Sequence, residues 1–350
     1  MARPVAEAHG GGASTRRGCV PLPITFGPVR SRRLGWSLGI NNVRPKSCTY
    51  SCVYCQVGPT DRARRDREPF LDPDEVVAAV GRHAAACRHT GQPIDYATFV
   101  PDGEPTLDTG LGASIRGIRA SGLRVAVLTN GSLLWRDEVR DELAAADLVS
   151  VKIDAVDEAT WRRLNRPIGR LALDTVLDGI RRFAASYRGD LLTETMLVAG
   201  VNDDGATVRR TAAFVGALEP LRAYVAVPTR PPAAPWVQAP SRAAAHHAAD
   251  IFRAAELPTT CLVEEVDDPF VVTGDPADGL VGIVAVHPMT EAAARVYLDR
   301  AGADWSVARG LLDQGRIVRV RYGRQVFLRA ATGRRPATAP RPPEAAATAG

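Results

Sequence analysis

Three cysteines, Cys48, Cys52 and Cys55, lie within the stretch "PKSCTYSCVYCQVG" (residues 45–58). The Cys-x3-Cys-x2-Cys spacing lets three thiolates converge from one loop on one metal centre. Four thiolates would mark a closed structural site and two a redox pair. Three thiolates on a four-iron cube leave one iron without a protein ligand, which is the open position reactive metal sites keep. Two other readings stay open on spacing alone: a zinc site with a distant fourth ligand, or a four-cysteine cluster completed by Cys19, Cys87 or Cys261.

A loop of this kind needs elements to position it. Short apolar runs begin at Ser37, Asp95, Arg124, Leu148, Leu191 and Arg222. They alternate with helical patterns, the clearest running from Asp72 to Ala86 and opening on "DPDE", an N-cap aspartate, a proline and first-turn acids. Six strand–helix alternations predict a parallel sheet with helical crossovers, either doubly wound or curled into a barrel. In both, ligands bind at the C-terminal ends of the strands. Those ends carry "PDGEPTL" from Pro101, "TNGS" from Thr129, "VKIDA" from Val151, "MLVAGVND" from Met196 and "VPTRPP" from Val227. The prolines of "PTRPPAAPWVQAPS" (228–241) exclude a regular element there. A helix from Arg242 and the strand-like "TTCLVEEV" follow. Between Met289 and Arg329 the pattern predicts two helices and a hairpin turning at Tyr322–Gly323, the outline of a winged helix.

The 350 residues are 45% hydrophobic and 24% charged, ordinary for a folded chain, with a formal net charge of +5 that permits a nucleic-acid partner without requiring one. Residues 1–20 and 331–350 are low-complexity ends expected to be disordered. The first segment has no apolar stretch of the signal-peptide kind, and no run reaches the eighteen apolar residues of a membrane helix. A cytoplasmic protein without membrane contact is expected, and the clustered thiols agree with a reducing compartment. The expected division is a core over 21–285 and a small unit over 286–330.

"CTYSCVYC" resembles the CxxxCxxC signature of the radical S-adenosylmethionine (SAM) superfamily, with Tyr54 as the aromatic residue before the last cysteine. The flanking segments are most similar to the Fe–S oxidoreductase group related to wyosine (tRNA) synthase. The resemblance implies a partial (β/α)6 TIM-like barrel, so an α/β fold, with the small winged-helix-like unit appended. It implies one 4Fe–4S cluster on Cys48, Cys52 and Cys55, SAM on the open iron, and reductive cleavage to a 5'-deoxyadenosyl radical. "DGEP" resembles the family's GGEP motif with Asp102 in place of a glycine. By resemblance, Tyr54, Gly103, Glu104, Pro105, Asn130, Lys152, Asp154, Met196, Val198 and Pro228 are the expected SAM contacts. A flavodoxin- or ferredoxin-type electron donor is implied as partner.

Only Cys19 lies upstream of the cluster cysteines, so the second cluster of wyosine synthases is not matched. Hydrogen abstraction from a carbohydrate or secondary metabolite, ending in epimerisation, is the expected reaction, with Cys261 as candidate hydrogen donor. An RNA-modifying enzyme using Arg316, Arg319, Arg321 and Arg324 on phosphate is the alternative, and a redox-sensing regulator the remote one.

Overall fold

A computed structural model describes residues 22–263, 270–271 and 274–331. Strands β1 (Thr25–Ser31), β2 (Gly35–Ile40), β3 (Ser47–Cys48) and β4 (Arg62–Ala63) come first. Then α1 (Pro73–His89), β5 (Tyr96–Phe99), α2 (Leu111–Ala120), β6 (Val125–Thr129), α3 (Asp137–Leu143) and β7 (Leu148–Lys152) alternate. The alternation continues through α4 (Glu158–Asn165), α5 (Leu173–Ser186), β8 (Asp190–Met196), α6 (Gly205–Gly216), β9 (Arg222–Ala226), α7 (Arg242–Ala254) and β10 (Thr259–Leu262). The chain then forms α8 (Pro276–Val286), β11 (Met289–Thr290), α9 (Glu291–Arg300), α10 (Ser306–Asp313), β12 (Ile317–Tyr322) and β13 (Gln325–Ala330).

Eight strands form one sheet in the order β1-β2-β5-β6-β7-β8-β9-β10. From β2 onward every neighbouring pair is parallel, joined by helical crossovers. This is the parallel core of a partial TIM-like barrel, as the sequence predicts. The strands are mainly apolar because both faces are covered, with Thr98, Ser150, Thr193, Glu194 and Thr195 as buried polar exceptions. Alternate residues divide between them: Val125, Val127, Val149 and Val151 pack outward with Ile115, Ile180 and Phe183 of the helices. Leu34, Tyr96, Ala126, Leu148, Leu192, Tyr224 and Leu262 point the other way and fill the base of the lumen.

Local chemistry fixes where helices start. Asp72 caps α1 by accepting from Asp74 N, and Asp204 caps α6 by accepting from Ala206 N and Thr207 N. β1 is the strand the sequence reading lacks. Its Gly27–Pro28 pair reads as a turn, and the antiparallel register with β2 shifts between Phe26 and Val29 to pass it. Pro is tolerated there because β1 lies at the sheet edge.

A second core begins earlier than residue 286. Leu280, Ile283 and Val284 of α8 pack with Tyr297, Leu298, Leu311, Ile317 and Leu328, so α8 belongs with the C-terminal helices. Its three strands are ordered β11-β13-β12 and the hairpin turns at Gly323, which has φ +56°. This unit is fastened across the open end of the barrel. Gln56 Nε2 donates to Val286 O (2.8 Å), Arg230 Nε to Pro288 O (2.9 Å) and Tyr322 OH to Pro228 O (3.0 Å). Ala331, assigned above to the disordered tail, still donates its amide to Arg316 O. Cys19 and the rest of both tails lie outside the described residues. Among the described residues no helix is long and apolar enough to cross a membrane.

Candidate functional site

The cysteine loop runs over the C-terminal ends of β5, β6 and β7, and each strand end grips a different part of it. At the end of β5, Ser47 O accepts from Glu104 N (2.9 Å), and Ser47 and Gly103 form a parallel bridge. A Cβ on Gly103 would lie 2.2 Å from Ser47 O, so only glycine allows this approach. Asp102 holds the residue before Ser47: its side chain is 3.0 Å from Lys46 Nζ, and its carbonyl accepts from Lys46 N (2.7 Å). Both partners are buried. Burial pushes the Asp102 carboxyl up against the pull of Lys46. The aspartate that replaces the motif's glycine thus has a task that sequence reading missed, anchoring a lysine two residues before Cys48.

At the end of β6, Asn130 Nδ2 donates to Thr49 Oγ1 (2.8 Å) and to Cys48 Sγ (3.6 Å), and Ser132 Oγ donates to Thr49 Oγ1 (2.7 Å). At the end of β7, Asp154 Oδ2 accepts from Tyr54 OH and from Asn165 Nδ2 (2.7 Å), while Oδ1 accepts from Met196 N (2.8 Å). Asn165 Nδ2 also reaches Cys52 Sγ at 3.5 Å. Asn202 closes the node, donating to the carbonyls of Asp154 and Met196 (2.9 Å each). Thr49 sits inside the cysteine motif and Asn202 inside "MLVAGVND". Asn165, at the end of α4, carries no signal in the sequence; only the packing of α4 under the loop brings it to the sulfur.

The donor set suits an iron–sulfur cluster. Tyr50 N, Asn130 Nδ2 and Asn165 Nδ2 all aim hydrogens at sulfur, and such bonds stabilise thiolates and tune a cluster. Burial pushes all three thiols up, Cys52 to about 12, a penalty that positive irons offset. Among the described residues no three Cys, His, Asp or Glu side chains converge on a point where one ion could bind them. Cys87 is enclosed on α1, and Cys261 faces α7, so neither adjoins the loop.

Glu104 fits a bound ammonium. It is 1% exposed; its Oε1 accepts from Thr106 N, Thr106 Oγ1 and Thr129 Oγ1, and its Oε2 accepts only from Asn130 N (2.8 Å). A carboxylate oxygen has room for a second donor, and Oε2 keeps that room. Pro105 starts the short 3-10 turn that this carboxylate caps. Lys152 Nζ lies over the Tyr54 ring at 4.9 Å, 2.8 Å from Glu194 Oε1 and 4.0 Å from Asp154 Oδ1. Glu194 also pairs with Arg33, whose guanidinium is pushed down to about 10 by burial and the nearby Arg32. Charged groups therefore run from the loop down the lumen.

Three expected residues stand elsewhere. Val198 is fully buried with Val53, Tyr54 and Leu164, and its amide is taken by Asn202 Oδ1. It supports the loop from behind. Pro228 is apart from the network, lining an open cavity of about 290 Å³ with Thr229, Pro240, Arg242 and Val263. Cys261 lies on the outer face of β10: its Sγ donates to Ala245 O of α7 (3.6 Å), whereas its neighbour Leu262 faces the lumen. The period-two alternation of a strand puts consecutive residues on opposite faces, and Cys261 has the wrong parity for a hydrogen donor.

A sequence model of the radical SAM superfamily matches residues 43–212. A UPF0026 protein of Methanocaldococcus jannaschii is 35% identical over 308 residues, spanning 87% of this chain and 95% of that protein. A probable dual-specificity RNA methyltransferase, RlmN 1, of Opitutus terrae is 31% identical over 184 residues, 48% of each chain. Among solved structures, a radical SAM methyltransferase from Sphaerobacter thermophilus shares the fold, with a TM-score of 0.51 and 21% identity, over 66% of this chain and 67% of that one.

Proposed function

The chain belongs to the radical SAM superfamily, in its UPF0026 family, and from that premise we propose that it takes a hydrogen atom from a C–H bond of a polar small molecule held in the barrel lumen. It is an enzyme whose cofactors are a 4Fe–4S cluster and S-adenosylmethionine. When bound, these supply one-electron cleavage of the sulfonium and a carbon radical able to abstract hydrogen. In our reading Cys48, Cys52 and Cys55 hold three irons, and Glu104 Oε2 receives the SAM ammonium as a charge-assisted contact. Asn130 and Lys152 flank the carboxylate. Asp154, with both oxygens accepting internal bonds, positions Tyr54 and Asn165 and touches the ligand least.

The observation that carries this reading is the set of amide hydrogens aimed at Cys48 and Cys52 from the loop itself, the end of β6 and the end of α4. The charged run Lys152–Glu194–Arg33 in the lumen supports a polar substrate, a carbohydrate or secondary metabolite being the class we favour. If the reaction is an epimerisation, hydrogen returns from a group other than Cys261, so Cys261→Ala keeps full turnover. We read the C-terminal unit as a winged-helix-like wall of the site, and a reducing, cytoplasmic setting accompanies the reading.

Anaerobic protein loaded with iron and sulfide should convert SAM to 5'-deoxyadenosine under dithionite, and solvent deuterium should enter the product of a sugar epimerisation. Loaded protein that leaves SAM intact would overturn the assignment. RNA-base modification is the second reading, favoured by the RlmN 1 likeness. Of its four hairpin arginines, Arg316 and Arg319 are paired with Asp278 and Glu291. Arg321 and Arg324 are left for phosphate, so tRNA binding through this hairpin should be weak with only a shallow salt dependence.

A further inference from the structure

We propose that Arg329, carried by the C-terminal unit, raises the reduction potential of the cluster from beside Cys55, so that the last strand of the chain tunes the centre held by the first loop. The inference rests on the cofactors assigned above and goes beyond them, because neither the cysteine motif nor the strand ends supply this charge. The step it bears on is one electron entering the cluster from a one-electron donor, with no atom or proton moving.

The C-terminal unit reaches the turn that follows the third cysteine. Gly58 N donates to Cys55 O (3.1 Å), closing a tight turn over residues 55–58. Gln56, next to the cysteine, donates through Nε2 to Val286 O (2.8 Å) at the end of α8. Over this turn lies the Arg329 guanidinium: a Cβ on Gly58, which has φ +94°, would stand 3.5 Å from its Nη1 and 3.9 Å from its Cζ. Strand alternation turns the side chain this way. Leu328 packs into the core of the C-terminal unit, so Phe327 and Arg329 take the opposite face of β13. Phe327 there meets the ring of Tyr322, whose hydroxyl donates to Pro228 O just after β9.

Arg329 differs from the other arginines of its unit. Arg316 is paired with Asp278 and Arg319 with Glu291, Arg295 lies over the Trp305 ring at 3.9 Å, and Arg300, Arg309, Arg321 and Arg324 are exposed. Arg329 is half-buried, its Nε is out of solvent, and among the described residues its guanidinium makes no hydrogen bond and no ion pair. Lys46 is the other cation at this turn. It donates to Val57 O, its Nζ lies 3.9 Å from the same point beside Gly58, and Asp102 pairs with it at 3.0 Å. One carboxylate thus stands against two cations, and the excess positive charge lies beside Cys55. Burial draws the Arg329 guanidinium down, and Cys55 and then Asp102 oppose that. Cys48 and Cys52 receive hydrogens from Asn130 and Asn165, whereas among the described residues no side chain donates to Cys55. Arg329 supplies by charge what those two amides supply by hydrogen bonding. A cation out of solvent is weakly screened, and it favours the form of the cluster that carries one more negative charge.

A potentiometric titration of the iron-loaded protein without SAM tests this, read by the electron paramagnetic resonance signal of the reduced cluster. Dithionite supplies the electron. Removing the cation should disfavour the reduced form, so Arg329→Gln should lower the midpoint potential by about 59 mV, a tenfold loss in the one-electron equilibrium. Arg329→Lys keeps the charge and should stay close to the parent value. Arg309→Gln removes an exposed arginine of the same unit and should leave the potential where it was. Should Arg329→Gln take up less iron, the comparison still holds, since a potential belongs to each loaded cluster and not to their number. An unchanged midpoint in Arg329→Gln would overturn the proposal, as would an equal shift in Arg329→Lys or in Arg309→Gln. A parent protein that holds the cluster yet leaves SAM intact under dithionite would instead defeat the function proposed above, with the comparison of potentials still decisive for Arg329.

Discussion

The Lys46–Asp102 pair shows how one substitution in a motif is accommodated. Both charges are out of water, and burial raises the Asp102 carboxyl despite the lysine 3.0 Å away. Desolvation therefore outweighs attraction, and the pair serves position more than stability. Removing one partner strands the other: Lys46→Met or Asp102→Leu alone should cost about 3–5 kcal/mol in urea unfolding. The double variant should recover most of that loss, and equal additive losses would count against the coupling. His287 offers a second residue-scale test. It is half-buried beside Arg230 (2.6 Å) and near Arg32 and Arg33, and desolvation, then these cations, holds its imidazole well below the usual range. The folded state keeps it neutral while the unfolded chain protonates it near pH 6.5. Its contribution is present above that pH and lost as pH falls below it. Thermal melts from pH 7.5 to 5 should show His287→Gln losing less stability on acidification than the parent.

At the scale of elements, three strand ends position one loop, and the β5 end does so by a close backbone approach at Gly103 beside the Asp102–Lys46 pair. Gly103→Ala forces a Cβ to 2.2 Å from Ser47 O, so either β3 or the turn after β5 must move. Iron bound per chain after reconstitution should fall severalfold in this variant, with the far-UV spectrum unchanged. Ala at Gly122, where a Cβ meets nothing within 4 Å but φ is +85°, should lower stability without touching iron content. The parallel strands were legible from their apolar runs. β1 was not, because a Gly-Pro pair looks like a turn until β2 supplies its register. The loop's supports were half legible: Glu104, Asn130 and Asp154 stand at strand ends, whereas Asn165 reaches Cys52 from a helix end that local sequence does not mark.

For the whole molecule, the C-terminal unit packs its apolar core against Val29 of β1 and adds a few polar links to the loops at the strand ends. Gln56, Arg230 and Tyr322 each span more than fifty residues of sequence to make one. Tyr322→Phe with Gln56→Ala removes two, each worth about 0.5–1.5 kcal/mol. Hydrogen exchange over β12 and β13 should quicken in this variant while β5 to β8 stay protected. Uniform exchange across both regions would show instead that the unit and barrel open together.

The sequence by itself located the site and, through its resemblance to the radical SAM superfamily, pointed to the chemistry: the spacing of Cys48, Cys52 and Cys55 and the order of strand-end motifs are local, written within a few residues each. It also determined the parallel core, since strands buried on both faces leave continuous apolar runs. Only the tertiary structure decided which expected ligand contacts face the site. Asp102 became an anchor, Val198 a support and Cys261 an outward thiol, because side-chain direction depends on register and on which helix packs behind each strand. Those are long-range facts, and no short stretch of sequence carries them.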